Sequence, residues 1–150
     1  MKLNKILRRK GYYKIDLKKL KTNHLLIKGK INGVKGRFIL DTGASNSCVD
    51  FSCEEKFQLE AVESETKAAG AGGVGMDTMI SKKNKVKFGK WSYKKFGIVL
   101  FDLKHVNTAL LEHDEKEVDG IIGADILEHG SAIIDYKNYC VYLKNVLFKY

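Results

Sequence analysis

Phe38-Ile39-Leu40-Asp41-Thr42-Gly43-Ala44-Ser45 decides how the rest of this sequence is read. Three apolar residues stop abruptly at a carboxylate, so an ionisable group stands at the tip of a strand entering the core. Burying an unpaired charge is costly, which argues against a merely structural placement. Gly43 permits a tight turn and lets another stretch of backbone come close. Thr42 offers a hydroxyl to a neighbouring loop. The plainer alternative is a turn in which Asp41 caps local amides, a common use of Asp. The tripeptide alone does not choose between the two.

Outward from this stretch the pattern is that of a mostly β domain. Val34 to Leu40 is preceded by Asn32-Gly33, a dipeptide favoured in two-residue hairpins, and by the β-like run from His24 to Ile31. Downstream, Ser47 to Phe51 reads as a short strand. Ser52-Cys53-Glu54-Glu55 fits a capping box opening a short helix through Phe57. Glu60 to Ala69, Met76 to Phe88 and Trp91 to Phe101 read as extended, and Asp102 to Leu111 as a loop with a helical turn. Asp119-Gly120-Ile121-Ile122-Gly123 reads as a buried strand, and Ala124 to His129 as a short helix closed by Gly130. Ser131 to Tyr136 and Tyr139 to Leu143 flank Lys137-Asn138 as a second hairpin. Residues 1–22 read as a basic arm or extra strand, and residues 23–150 as the domain.

The second motif changes the weight of the first. Ile121-Ile122-Gly123-Ala124-Asp125-Ile126-Leu127 follows Asp41-Thr42-Gly43 by about eighty residues. Together, in this order and across a β-rich domain, the two resemble those of the retropepsin-like aspartic proteases, over about residues 23–144. The resemblance implies a mainly β fold, a retropepsin-like acid protease barrel with one or two short helices. It implies an aspartic endopeptidase whose catalytic residue is Asp41, with Thr42, Gly43, Ala44 and Ser45 supporting the active loop and Ile121, Ile122 and Gly123 supporting it from the second motif.

In that family the site needs two D-T-G aspartates facing one water, and no second D-T-G or D-S-G occurs in this chain. A two-lobed, pepsin-like monomer is therefore excluded, and an active enzyme would be a homodimer with one Asp41 from each copy. Two carboxylates about 3 Å apart cannot both ionise cheaply, so the pair shares one proton. Thr42 would bond across the dimer, and Ala44 matches the retroviral D-T-G-A form, for which activity nearer mildly acidic or neutral pH is expected. The alternative function is a non-catalytic module that keeps the fold and binds peptide or dimerises.

Gly70-Ala71-Gly72-Gly73-Val74-Gly75 satisfies G-x-G-x-x-G, but no convincing helix follows to meet a phosphate, as a dinucleotide loop requires. By the resemblance these residues are the tip of a flap covering the substrate. Glu112 to Glu115 with Glu117 lack metal-ligand spacing and read as a solvated acidic loop, so no metal or cofactor is expected. Cys48 reads as a small buried residue rather than half of a Cys–His nucleophile. Asp119 and Asp125 read as turn or helix-cap residues, with support of the active loop open to them.

Composition sets the outer limits. With 44% hydrophobic and 30% charged residues among 150, this is a globular chain of single-domain size. Three cysteines without a C-x-x-C argue against a disulfide scaffold or zinc ribbon. The net charge of +9 is concentrated before residue 38. It leaves nucleic acid open as a partner, unsupported by an RNA-binding signature or zinc-finger spacing. No signal-peptide core or membrane-length apolar run is seen, so a soluble, cytoplasmic protein acting on peptide or protein substrates is the expectation.

Overall fold

The computed structural model describes residues 2–63 and 78–145. Helix α1 (Leu3–Arg9) leads into strands β1 (Tyr12–Asp16), β2 (Lys18–Lys19), β3 (Leu25–Ile31), β4 (Val34–Leu40), β5 (Cys48–Asp50) and β6 (Ala61–Glu63). Then come β7 (Met79–Phe88), β8 (Trp91–Phe101), α2 (Lys104–Glu112), β9 (Gly120–Ile122), α3 (Ala124–His129), β10 (Ile133–Asp135) and β11 (Cys140–Lys144). The architecture is mainly β, as the sequence implies, with three short helices rather than one or two. Among the described residues no helix is long and apolar enough to cross a membrane.

The Asn32-Gly33 turn behaves as its residue types dictate. Both residues take positive φ, 50° and 84°, which matches the twist of the strands they join. β3 and β4 pair antiparallel from Leu25–Leu40 to Ile31–Val34. The large sheet runs β2-β3-β4-β9-β5-β8-β7-β6, and a further pairing of β3 with β7 closes six of these strands into a barrel. β1, β11 and β10 form a separate three-stranded sheet. Residues 1–22, set apart by charge in the sequence, thus supply α1, one strand of that small sheet and the short β2.

Burial explains why the two key motifs are continuous apolar runs. Phe38, Leu40 and Ile122 belong to the barrel core with Val49, Phe88, Trp91 and Leu100. Ile39 and Ile121 point the other way, into a second apolar layer with Leu26, Cys48, Phe101, Leu103 and Leu110. A strand covered on both faces has no polar side to show. The same layer makes α2 a full helix of nine residues, not one helical turn in a loop, because Leu103 and Leu110 are completely buried beneath it. Asn107 fixes α2 further, exchanging two hydrogen bonds with the backbone of Val118 (2.8 and 3.1 Å).

The capping box is corrected. The segment forms a short 3-10 turn at Phe51–Cys53, and its N-cap is Asp50, whose carboxylate accepts from the backbone N–H of Ser52 (3.0 Å) and from its hydroxyl. Asp50 also accepts from the Leu103 N–H at 2.8 Å, so one carboxylate serves two chain segments and displaces Ser52 from the cap. The second hairpin turns through residues 136–139, with the Asp135 carboxylate accepting from the backbone of Lys137 and Asn138.

Backbone packing is tightest at Gly120, where an added Cβ would lie 2.2 Å from the Cys48 carbonyl oxygen. Gly97, in contrast, would place its Cβ no closer than 4.0 Å to any neighbour. Gly120→Ala is expected to lower unfolding free energy by about 3 kcal/mol through overpacking. Gly97→Ala is expected to be neutral or stabilising by a few tenths of a kcal/mol, roughly the gain from a stiffer unfolded chain. Urea unfolding of the two variants against wild type checks both.

Candidate active site

β4 and β9 run parallel, with Phe38 beside Gly120 and Leu40 beside Ile122. Both strands end at the same level, so their following loops emerge side by side. The Asp41 N–H donates to the Ile122 carbonyl (2.9 Å), extending the ladder one step. The Ala124 N–H then donates to the Ala44 carbonyl (2.7 Å), tying the start of α3 to the D-T-G loop. Gly123 is required by this contact, since a Cβ there would sit 2.4 Å from the Ala44 oxygen.

Within the loop, the Gly43 N–H donates to Asp41 Oδ1 (2.9 Å) and the Ala44 N–H to the Asp41 carbonyl (3.2 Å). The Asp41 carboxylate is half-buried, while Thr42, Gly43 and Ser45 are exposed. Asp41 is therefore the capping residue of its own turn, as the plainer reading has it, and it also stands at the mouth of a rigid, doubly anchored loop. Thr42 borders an open groove of about 410 Å3 whose other lining includes Ala124, Leu127 and Ile134.

A buried polar stitch that the motif reading did not single out completes the anchorage. Ser47, only 3% exposed, donates its hydroxyl to Asp125 Oδ1 (2.7 Å) and its N–H to Asp125 Oδ2 (2.8 Å). The same hydroxyl accepts from the Gly123 N–H (2.8 Å). Asp125 thus anchors the end of the D-T-G loop through Ser47. Nothing local in the sequence marks Ser47 for this role. Its one signal is a small polar residue immediately before the apolar pair Cys48-Val49.

The other candidates separate from the loop. Asp119 sits at the base of β9, accepting from the Arg37 N–H (2.9 Å) and pairing with Lys56 Nζ (2.9 Å). Glu115 accepts from the Lys21 N–H, and His129 packs on the rings of Tyr93 and Phe96. Gly70 to Gly75, read as a flap tip, lie outside the described residues. Burial pushes the Cys48 thiol up to about 12. A hydrogen bond with the Ile121 backbone opposes the rise, and the carboxylates of Asp125, Asp41 and Asp50 add to it. A thiol held so far above neutrality is no nucleophile.

With this geometry in place, the comparisons with known proteins are decisive at the level of family. The aspartyl protease family model matches residues 27–126, which takes in the D-T-G motif and all but the last residue of the second. The chain belongs to the aspartyl protease family. No curated protein sequence matches this family member. Among solved structures, it is similar to a retropepsin-like aspartic protease from Rickettsia conorii, at 20% identity over 90% of each chain with a TM-score of 0.59. It is also similar to the retroviral protease-like domain of Ddi1 from Leishmania major, at 19% identity over 82% of this chain and 90% of that one (TM-score 0.54). EIAV protease, solved with the inhibitor HBY-793, matches at 20% identity over 73% of this chain and 90% of its own (TM-score 0.50). The fold of this aspartyl protease family member is retropepsin-like.

Two outcomes follow from the anchorage. Ser47→Ala leaves the buried Gly123 N–H without its partner and is expected to lower stability by about 2 kcal/mol in urea unfolding. The cysteines set an alkaline limit. Cys48 and Cys53, whose thiol burial raises to about 11, keep their protons in the fold at pH values where the unfolded chain loses them. Their contribution is therefore complete below the ordinary thiol value of 9.0 and is lost as pH rises from there toward 11 and 12. Unfolding midpoints measured between pH 8 and 11 should fall less steeply for Cys48→Ala than for wild type.

Proposed function

We propose that this chain is an aspartic endopeptidase that works as a homodimer, with one Asp41 from each copy forming the catalytic pair. The observation that carries the reading is Asp41 itself, a half-buried carboxylate at the end of a core strand, on a loop fixed by the second motif. Family membership supports hydrolase chemistry, and a chain with a single D-T-G needs a twin to supply the second carboxylate.

The chemistry needs no cofactor. The ionised Asp41 takes a proton from water as the water oxygen attacks the scissile carbonyl carbon. The protonated Asp41 of the second copy gives its proton to the carbonyl oxygen, and a neutral gem-diol forms. Collapse reverses the roles: a hydroxyl proton returns to one carboxylate, the nitrogen receives a proton from the other, and the C–N bond breaks. The Gly43 N–H on Asp41 Oδ1 fixes the direction in which each carboxylate presents its second oxygen. Thr42, which is exposed, would bond across to a twofold partner, whose interface would be self-complementary. Domain limits of 23–150 accompany this proposal, although β1 pairs with β11 from outside them.

Cleavage of a peptide library between pH 3.5 and 7.5 tests the reading. Discrete cuts with a bell-shaped pH profile are expected, and Asp41→Asn should reduce the rate by about 10³-fold or more. Specific activity should also rise with protein concentration as dimer accumulates. A well-folded dimer that cleaves nothing would move the assignment to a peptide-binding or dimerisation module.

A further inference from the structure

The outer face of the β3–β4 hairpin changes character along its length. Near the D-T-G end, Leu26 and Ile39 are covered by the layer beneath α2. Beyond that cover the outward positions become Lys28 and Lys30 on β3, and Lys35 and Arg37 on β4. With Lys87 of β7, Lys56 and Lys116, they line a concave site of about 740 Å3. Its floor includes Gly29 and Gly36, which face each other across the hairpin. The site opens where β3 changes neighbours, from β2 at Leu25 and Leu26 to β7 at Lys30 and Ile31.

The arrangement is unfavourable for the empty fold. Lys28 lies opposite Arg37, and Lys30 lies opposite Lys35 on one side and Lys87 on the other. Like charges directly across strands destabilise a sheet. Among the described residues only Lys56 of these cations is in an ion pair, with Asp119. Asp119, the one lining carboxylate among the described residues, is already occupied by Lys56, the Arg37 N–H and the Cys53 thiol. The lysine positions are exposed and Arg37 is half-buried, so packing does not demand lysine at any of them. What the repulsion suits is a ligand carrying several negative charges in a small volume.

We propose that this cleft binds a compact polyphosphate, a group of three or more linked phosphates, through the ammonium groups of Lys28, Lys30, Lys35 and Lys87 and the guanidinium of Arg37. Lysines serve phosphate as mobile point charges, and a cavity of this size takes a small ligand. Among the described residues the lining holds no aromatic ring, so it lacks the stacking platform that single-stranded nucleic acid sites use. The phosphates could belong to an inorganic chain or to a nucleotide, since the chemistry recognised is shared. The site is separate from the protease reading: Arg37 lies four residues before Asp41, about 13 Å along β4.

Calorimetric titration of the full chain with sodium tripolyphosphate tests this. Saturable binding near one per chain is expected at low salt, at least about tenfold tighter than benzenehexacarboxylate, a polycarboxylate of similar charge. Lys30→Gln/Lys35→Gln should weaken it about tenfold while raising the melting temperature of the unligated protein, because a like-charge pair is removed. Magnesium-free ATP distinguishes the sources: equal affinity assigns the site to the phosphate chain, and tighter binding assigns it to a nucleotide. Asp41→Asn should bind tripolyphosphate as wild type does, whatever the outcome for cleavage. Equal binding of the polycarboxylate, unchanged binding by the double variant, or binding of duplex DNA without tripolyphosphate would each overturn the proposal.

Discussion

The candidate site depends on one pairing, the parallel alignment of β4 with β9. It sets Leu40 beside Ile122, so the two loops that follow begin at the same height and can be sewn together. Every later contact uses that level: Asp41 N–H to Ile122, Ala124 N–H to Ala44, and Ser47 to both Gly123 and Asp125. A slip of one residue in this register would exchange the barrel-facing and helix-facing side chains. The double apolar cover on β4 and β9 is therefore also what locates the carboxylate.

The molecule places its charges in two contrasting ways. At the loop, the Asp41, Gly43 and Ala44 backbone and the Ser47 side chain each have a defined partner, down to a buried hydroxyl that both donates and accepts. On the outer hairpin face the cations face one another across the strands, and among the described residues the one lining carboxylate, Asp119, is already held by Lys56. The first arrangement holds a site rigid before anything arrives. The second leaves electrostatic strain that only an incoming anion relieves.

The hairpin, the apolar runs and the linked motifs were legible because each is a local pattern: a turn dipeptide, an unbroken hydrophobic stretch, a glycine beside a carboxylate. The three departures have a common cause. Ser52 lost the cap to Asp50 because Asp50 also answers the distant Leu103 N–H. The 104–112 segment became a helix because the sheet below it offered a surface for Leu103 and Leu110. Ser47 acquired its role from Gly123 and Asp125, more than seventy residues away. The cationic hairpin face was visible only as an excess of lysine until the register set Lys30 between Lys35 and Lys87.

β1 pairs along its whole length with β11, joining Tyr12 to Lys144 and Asp16 to Cys140. During synthesis the first strand of this small sheet therefore waits for nearly the last. At about 5–20 residues per second, that interval is several seconds or more, during which β1 has no edge to join. Contacts of such separation also slow folding once the chain is complete. The lysines and arginines that flank β1 give the waiting segment a practical property, since a strand between strongly charged flanks resists pairing with a neighbouring chain before its own partner exists.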